Sequence, residues 1–235
     1  MHQQLSLVGF VASGNKGLAR LKMDCGRILS TFPMPPRFIA KQLSRPSGLF
    51  APIISWLMNR HNAKLNAFAL DQLRLTRADR VLEIGFGGGL NLPFLIERAA
   101  FTAGLDRSPE IVKRANARFR DQIRAGRAEF REGHIEHIPF ETGSFTRVCT
   151  VNTVYFWSSL DAGCAEIRRV LTPEGAAIIG FLPKTHMDKM KMPGDIFTSR
   201  TEDEVIAALR RNGFANAQIT RPTPQTAWAV AVASA

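Results

Sequence analysis

From Arg80 onward the chain alternates short apolar runs with helix-length amphipathic segments, and this alternation restricts the fold more than any other feature. The runs Arg80 to Ile84, Thr102 to Leu105, Ala128 to Glu132, Phe145 to Val151 and Ala176 to Leu182 are strand-sized. The stretches between them are long enough to cross back over a sheet, as parallel neighbours require. Two further runs, Ala215 to Thr220 and Ala227 to Ala233, joined through Pro222 and Pro224, predict a closing antiparallel hairpin. The expectation is an α/β protein with a mostly parallel, seven-stranded sheet. Helix starts are legible in the same stretch. Asn91 and Pro93 begin one, and Ser108-Pro109 supplies an N-cap with proline at the first helical position. Ser158 caps a helix ending near Leu171, with Pro173-Glu174-Gly175 turning into the next strand. Thr201-Glu202-Asp203-Glu204 is a capping box, closed by Gly213 after the last turn.

Ahead of the sheet the chain has a different character. Residues 1–78 hold 11 Lys/Arg against 2 Asp/Glu, a balance of +9 out of the total +11. Residues 1–45 are basic, broken by Pro33, Pro35 and Pro36, and read as a partly irregular extension with one short helix. Over 46–78 the positions Phe50, Ile54, Leu57, His61, Leu65, Phe68 and Gln72 fall on one helical face, predicting a helical cap segment of about 25 residues. The remaining residues, 79–235, form the sheet domain, and 45% hydrophobic residues suffice for its core. No apolar run approaches the ~20 residues of a membrane span, although a basic segment can touch an anionic membrane surface. Leu5 to Ala12 lacks a preceding basic residue and makes a poor secretory signal. Cys25, Cys149 and Cys164 form neither a CxxC pair nor an even disulfide set, so a reducing, cytoplasmic setting is expected.

The first strand runs into Glu83-Ile84-Gly85-Phe86-Gly87-Gly88-Gly89. Glycines at alternate positions before a helix let main chain approach a ligand closely, because no Cβ intrudes. A dinucleotide fingerprint wants a third glycine three residues after the second, and Leu90 stands there, which disfavours a nicotinamide cofactor. Asp106, 23 positions after Glu83, closes the second strand and can accept hydrogen bonds from both hydroxyls of a ribose.

With these residues in place the chain resembles the class I S-adenosylmethionine-dependent methyltransferases. The likeness runs from Val81-Leu82-Glu83-Ile84-Gly85 through Gly104-Leu105-Asp106 to Arg169-Val170-Leu171-Thr172-Pro173-Glu174-Gly175. Within that family, Gly133-His134-Ile135-Glu136-His137-Ile138-Pro139-Phe140 followed by Gly143-Ser144-Phe145 looks like the adenine-lining segment of the ubiquinone/menaquinone-biosynthesis type. The resemblance implies a Rossmann-like, doubly wound sheet and S-adenosyl-L-methionine as cofactor. By the same resemblance Glu83 braces the loop and the cofactor's amino end, Gly85 and Gly87, with Gly89 completing the turn, pass under the methionine, Asp106 holds the ribose and Arg107 flanks the adenine. His134 and Ile135 line the adenine. His134 stands where the family often has an acidic residue, and a neutral imidazole can still accept one hydrogen bond there.

Methyl transfer from a sulfonium is an in-line displacement in which orientation supplies most of the acceleration, so no catalytic triad is required. Nor does His134 with His137 find a third metal ligand at recognisable spacing. The fourth strand should deliver Asn152, Tyr155 and Trp157 to the cleft. Asn152 can hydrogen-bond cofactor or acceptor, and Tyr155 with Trp157 can form an aromatic wall that orients the acceptor. Residues 183–200, together with the helix before the sheet, form a candidate lid. The expected acceptor is small or lipid-like, of quinone, phenol or amine type. The second reading is an RNA- or other nucleic-acid-associated protein gripping phosphates with the basic extension. The segment at Asn152 departs from the (Asp/Asn)-Pro-Pro-(Tyr/Phe) pattern of enzymes that methylate base amino groups, which weighs against that class.

Overall fold

The computed structural model describes residues 63–190 and 193–234. The predicted N-terminal extension and most of the predicted cap helix lie outside the described residues. Within them the order is α1 (63–72), β1 (Arg80–Ile84), α2 (Leu92–Arg98), β2 (Phe101–Asp106), α3 (Pro109–Arg118), α4 (Arg120–Arg124), β3 (Ala128–Glu132), β4 (Phe145–Val151), α5 (Leu160–Val170), β5 (Leu171–Phe181), α6 (Lys184–Met187), α7 (Glu202–Arg211), β6 (Asn216–Thr220) and β7 (Ala229–Ser234). A 3-10 turn, Val154–Phe156, leaves β4, and another, Asp188–Met190, follows α6.

The strands form one sheet in the order β3-β2-β1-β4-β5-β7-β6. β1 to β5 are mutually parallel, and β7 is antiparallel to both β5 and β6. The sheet is therefore Rossmann-like and doubly wound, as expected, with β7 wedged between β5 and β6. The chain winds outward from β1 through β2 to β3, then crosses to β4 on the other side of β1. At that reversal the connections leaving β1 and β4 diverge and open a cleft at the strands' C-terminal ends.

Both faces of the sheet are covered, so its strands carry apolar residues on alternate sides. Val81, Cys149, Ile178 and Val230 face a core with Leu65, Ala69, Leu70 and Leu73 of α1 and Leu95 of α2. Leu82, Val148, Ile179 and Ala231 face the other core, with Cys164 and Ile167 of α5 and Val205 and Leu209 of α7. α1 is thus part of the fold's interior. Asp79 fastens its exit into β1, accepting from Thr76 N–H at 2.7 Å, Thr76 Oγ1 at 2.8 Å and Thr146 Oγ1 at 2.7 Å.

Two local expectations are corrected. Ser159, not Ser158, caps α5, its hydroxyl accepting from Ala162 N–H at 3.1 Å. Pro173-Glu174-Gly175 is no separate turn but a bulged stretch of β5, paired at Leu171 with Phe145 and resuming at Ala176 with Arg147. The capping box at Thr201 and Glu204 forms as predicted.

Candidate active site

Main chain leaving β1 must turn at once over the mouth of the sheet. It does so with Gly85 at φ +70°, Gly87 at +50° and Gly89 at +68°, conformations that side chains other than glycine's strain to adopt. A Cβ on Gly85 would stand 2.4 Å from Thr153 Cγ2, so the turn also lies against the exit of β4. At Gly87 no atom of the described residues lies within 4 Å in the corresponding direction. Gly89 closes the turn by donating to Phe86 O at 2.8 Å; it is not on the cleft wall, whereas Gly88 is.

The cleft encloses about 190 Å³ and is bounded by 83–88, Leu90, Asn91, 105–107, Ile111, 133–136, 151–153, Phe156, Trp157 and Asn66 of α1. Glu83, Gly85, Gly87, Asp106, Arg107, His134, Ile135 and Asn152 are thereby brought to one wall system. Glu83 is only 4% exposed. Its Oε1 accepts from Asn91 Nδ2 at 2.7 Å, while the buried Oε2 has no partner among the described residues. Burial pushes the Glu83 carboxyl up to about 8, opposed by the Asn91 hydrogen bond and reinforced by the charge of Asp106. Asn91, predicted to start α2, does stand at its N-cap, but its carboxamide clamps Glu83 and makes no cap bond.

Asp106 spans the turn between β2 and α3. Its Oδ2 accepts from Gly87 N–H at 2.9 Å and its Oδ1 from Ser108 N–H at 3.0 Å. Burial raises its carboxyl above the ordinary value, these main-chain donors pulling the other way. Arg107 N–H is a third main-chain donor, and the carboxylate still keeps a lone pair for a further one. The Arg107 guanidinium lies 5.3 Å from the Phe156 ring centre. Across the cleft, Glu136 Oε1 accepts from Ser158 N–H at 2.7 Å and Ser158 Oγ at 2.8 Å, tying the 133–136 wall to the start of α5. Burial of Glu136 favours its neutral form, but these donors outweigh it and lower its pKa.

The exit of β4 differs from expectation in one respect. Asn152 reaches the cleft with φ +58°, its N–H donating to Gly180 O at 2.8 Å. Tyr155 is not on the wall: it is 3% exposed and sits behind Asn152, and burial raises its phenol well above the usual range. The 3-10 turn rotates the residues after Thr153, so that Phe156 and Trp157 supply the aromatic surface instead. Trp157 is held by Nε1–H donating to Thr153 Oγ1 at 3.2 Å. Sequence reasoning missed Asn66, Asn91 and Thr153, and named Glu136 only as part of the adenine-lining segment. Only Asn91 had a usable signal, its position eight residues after Glu83 at a helix start.

The donor set fits the expected cofactor. An unpartnered buried carboxylate oxygen suits an ammonium group, Asp106 suits ribose hydroxyls, and a turn without Cβ atoms suits close main-chain approach. Comparison with known proteins agrees. Residues 82–179 match the family described as methyltransferase domain. The methyltransferase YdaC of Bacillus subtilis (strain 168) is 30% identical over 134 residues, covering 56% of this chain and 72% of YdaC. The chain belongs to the class I S-adenosylmethionine-dependent methyltransferases. The ubiquinone/menaquinone biosynthesis C-methyltransferase UbiE of Citrifermentans bemidjiense is 27% identical over 115 residues, 48% of this methyltransferase and 49% of UbiE. In fold the methyltransferase is similar to geranyl diphosphate C-methyltransferase from Streptomyces coelicolor A3(2), solved with Mg2+, geranyl-S-thiolodiphosphate and S-adenosyl-L-homocysteine. The TM-score is 0.64 at 16% identity, covering 82% of this chain and 83% of that one. Asn66 lies outside the family match, although it borders the same cleft. Among the described residues no cluster of His, Cys, Asp and Glu could hold a metal ion, and no helix is long and apolar enough to cross a membrane.

Proposed function

We propose that this methyltransferase transfers a methyl group from S-adenosylmethionine to a small or lipid-like acceptor of the quinone, phenol or amine type. The observation that carries the reading is the apolar surface that Phe156 and Trp157 add, with Asn152, to the lining of the cleft. The likeness to UbiE, whose name concerns quinone biosynthesis, supports the same acceptor class.

Bound S-adenosylmethionine would supply an electrophilic methyl carbon on a sulfonium, open to in-line attack by an acceptor's electron pair with a neutral thioether as the leaving group. The chain's own residues orient and exclude. Glu83, through its unpartnered Oε2, holds the cofactor's ammonium; Gly85 and Gly87 give main-chain approach; Asp106 takes the ribose hydroxyls; Arg107, His134 and Ile135 border the adenine. Asn152 orients the acceptor or the methionine end. Phe156, Trp157 and Leu90, the last 45% exposed, give the cleft apolar surface that excludes water from the bound reactants. The buried free thiols Cys149 and Cys164 accord with a cytoplasmic setting.

The test is a radiolabelled-methyl assay over separate quinol, phenol, amine, lipid and RNA pools. Label in a quinol, phenol, amine or lipid fraction is the expected result. Label confined to RNA would overturn the acceptor class in favour of the nucleic-acid reading.

A further inference from the structure

We propose that Tyr155 is a positioning residue that sets the polarity of Asn152, turning its carboxamide N–H groups, and not its oxygen, toward the ligand in the cleft. The proposal rests on reading the cleft as the methyl-transfer site.

Four observations carry it. The Tyr155 side chain is buried, and its hydroxyl oxygen accepts a hydrogen bond from the main-chain N–H of Leu182, where β5 ends. The same hydroxyl donates to Asn152 Oδ1 at 3.2 Å. With Leu182 N–H filling one lone pair, the phenolic proton needs an acceptor. If the carboxamide turned over, NH2 would meet the hydroxyl and leave that proton buried without a partner. Main-chain geometry reinforces the arrangement, because Asn152 is held at φ +58° by its N–H to Gly180 O at 2.8 Å. Finally, Tyr155 is anchored from the candidate lid: its main-chain oxygen accepts from Thr198 N–H at 2.9 Å, and its ring lies 6.0 Å from that of Phe197.

Oδ1 therefore points inward and the two Nδ2 hydrogens are left for the cleft. The ligand atom that meets Asn152 must offer a lone pair, such as the oxygen of a carbonyl, phenolate or carboxylate, and an ammonium is rejected there. Two ligands carry such an oxygen, the methyl acceptor and the carboxylate of the cofactor.

Tyr155 is the only tyrosine in the chain, so protein labelled with 13C at tyrosine Cζ gives a single resonance that reports its hydrogen bond. Asn152→Gly tolerates the left-handed backbone and removes the carboxamide, and Asn152→Asp keeps an acceptor toward Tyr155 while replacing the cleft-facing donors by a carboxylate oxygen. The tyrosine resonance should move in Asn152→Gly; an unmoved resonance overturns the latch, whatever the acceptor proves to be. The affinities of S-adenosylhomocysteine, and of 2-methyl-1,4-naphthoquinone in protein saturated with S-adenosylhomocysteine, then identify the oxygen. A loss of at least tenfold in Asn152→Asp for the first assigns the cofactor's carboxylate, and for the second the acceptor. Tyr155→Phe should weaken the same ligand and spare the other. If Asn152→Asp leaves S-adenosylhomocysteine binding within twofold and also leaves any wild-type naphthoquinone binding within twofold, the polarity assignment is wrong. A wild-type protein that binds S-adenosylhomocysteine but no naphthoquinone counts against the quinone acceptor, while the tyrosine resonance and the S-adenosylhomocysteine arm still decide the latch.

Discussion

A carboxylate kept 4% exposed with one of its two oxygens unpartnered, as in Glu83, is an expensive thing for a folded protein to hold. Its folded-state pKa of about 8 lies above the ordinary 4.5, so between those values the native state keeps a proton that the unfolded chain has released. Stability therefore falls as pH rises from about 4.5 to about 8, by about a few kcal/mol in all. Glu83→Gln should abolish that dependence: thermal melts of the cofactor-free protein should show the variant more stable at pH 8.5 and level with wild type near pH 5. The same substitution should weaken S-adenosylhomocysteine at least tenfold by calorimetry, because the ammonium loses its counter-charge. Asp106 presents the opposite case, a carboxylate whose two oxygens hold the turn by Gly87 N–H and Ser108 N–H. Asp106→Ala removes that brace and with it the proposed ribose contact, and Gly87→Val strains a φ of +50°. Each should cost at least tenfold in cofactor affinity, on the order of 1.4 kcal/mol, while circular dichroism remains native. Asp106 was legible as a cleft residue because a carboxylate closing the second strand lies beside the glycine turn that closes the first. Tyr155 was misread because the direction of its hydroxyl depends on a partner at Leu182, contributed by another strand.

Among the elements, α1 shows what periodicity leaves open. The apolar positions from Leu65 to Leu73 place it in a cap segment ahead of the sheet domain, with packing against the core as its expected role. Leu65, Ala69, Leu70 and Leu73 do pack, against Val81, Cys149, Ile178 and Val230 on one face of the sheet, while Asn66 borders the cleft. Amphipathic period tells that a helix buries one face, never against what. Leu73, 1% exposed, makes this testable: Leu73→Ala should destabilise the domain by about 2–5 kcal/mol in denaturant unfolding, whereas a detachable cap would leave the main transition unchanged. The segment after β5 is likewise no loose flap in its described part, since Met187 and Phe197 join the core and Lys184 N–H donates to Arg200 O at 2.7 Å, drawing its two ends together. Capping signals fared better, because the Thr201 and Glu204 box is decided within one turn of chain. Ser158 failed as a cap because Glu136, 22 residues away, takes its hydroxyl.

For the whole molecule, the cleft draws walls from α1, β1, β2, β4 and the connections after β3, so a ligand seated there ties both halves of the sheet together. S-adenosylhomocysteine at about 100 times its Kd should stabilise the protein by about 2.7 kcal/mol, a rise of about 5–10 °C in Tm for a domain of this size. A scan of Tm against concentration checks it, and NADH should produce no rise. The sequence by itself determined what is decided over a few neighbouring residues: the alternation of strands and helices, the parallel sheet and its closing hairpin, the glycine turn, and Asp106 at the end of β2. Tertiary structure decided what depends on residues far apart in the chain: the insertion of β7 between β5 and β6, the seating of α1, the clamp of Asn91 on Glu83, and the turning of Tyr155 away from the cleft. The physical reason is that periodicity and backbone preference act within a turn or a strand, whereas a buried hydroxyl or carboxylate takes its direction from whichever partner packing brings beside it.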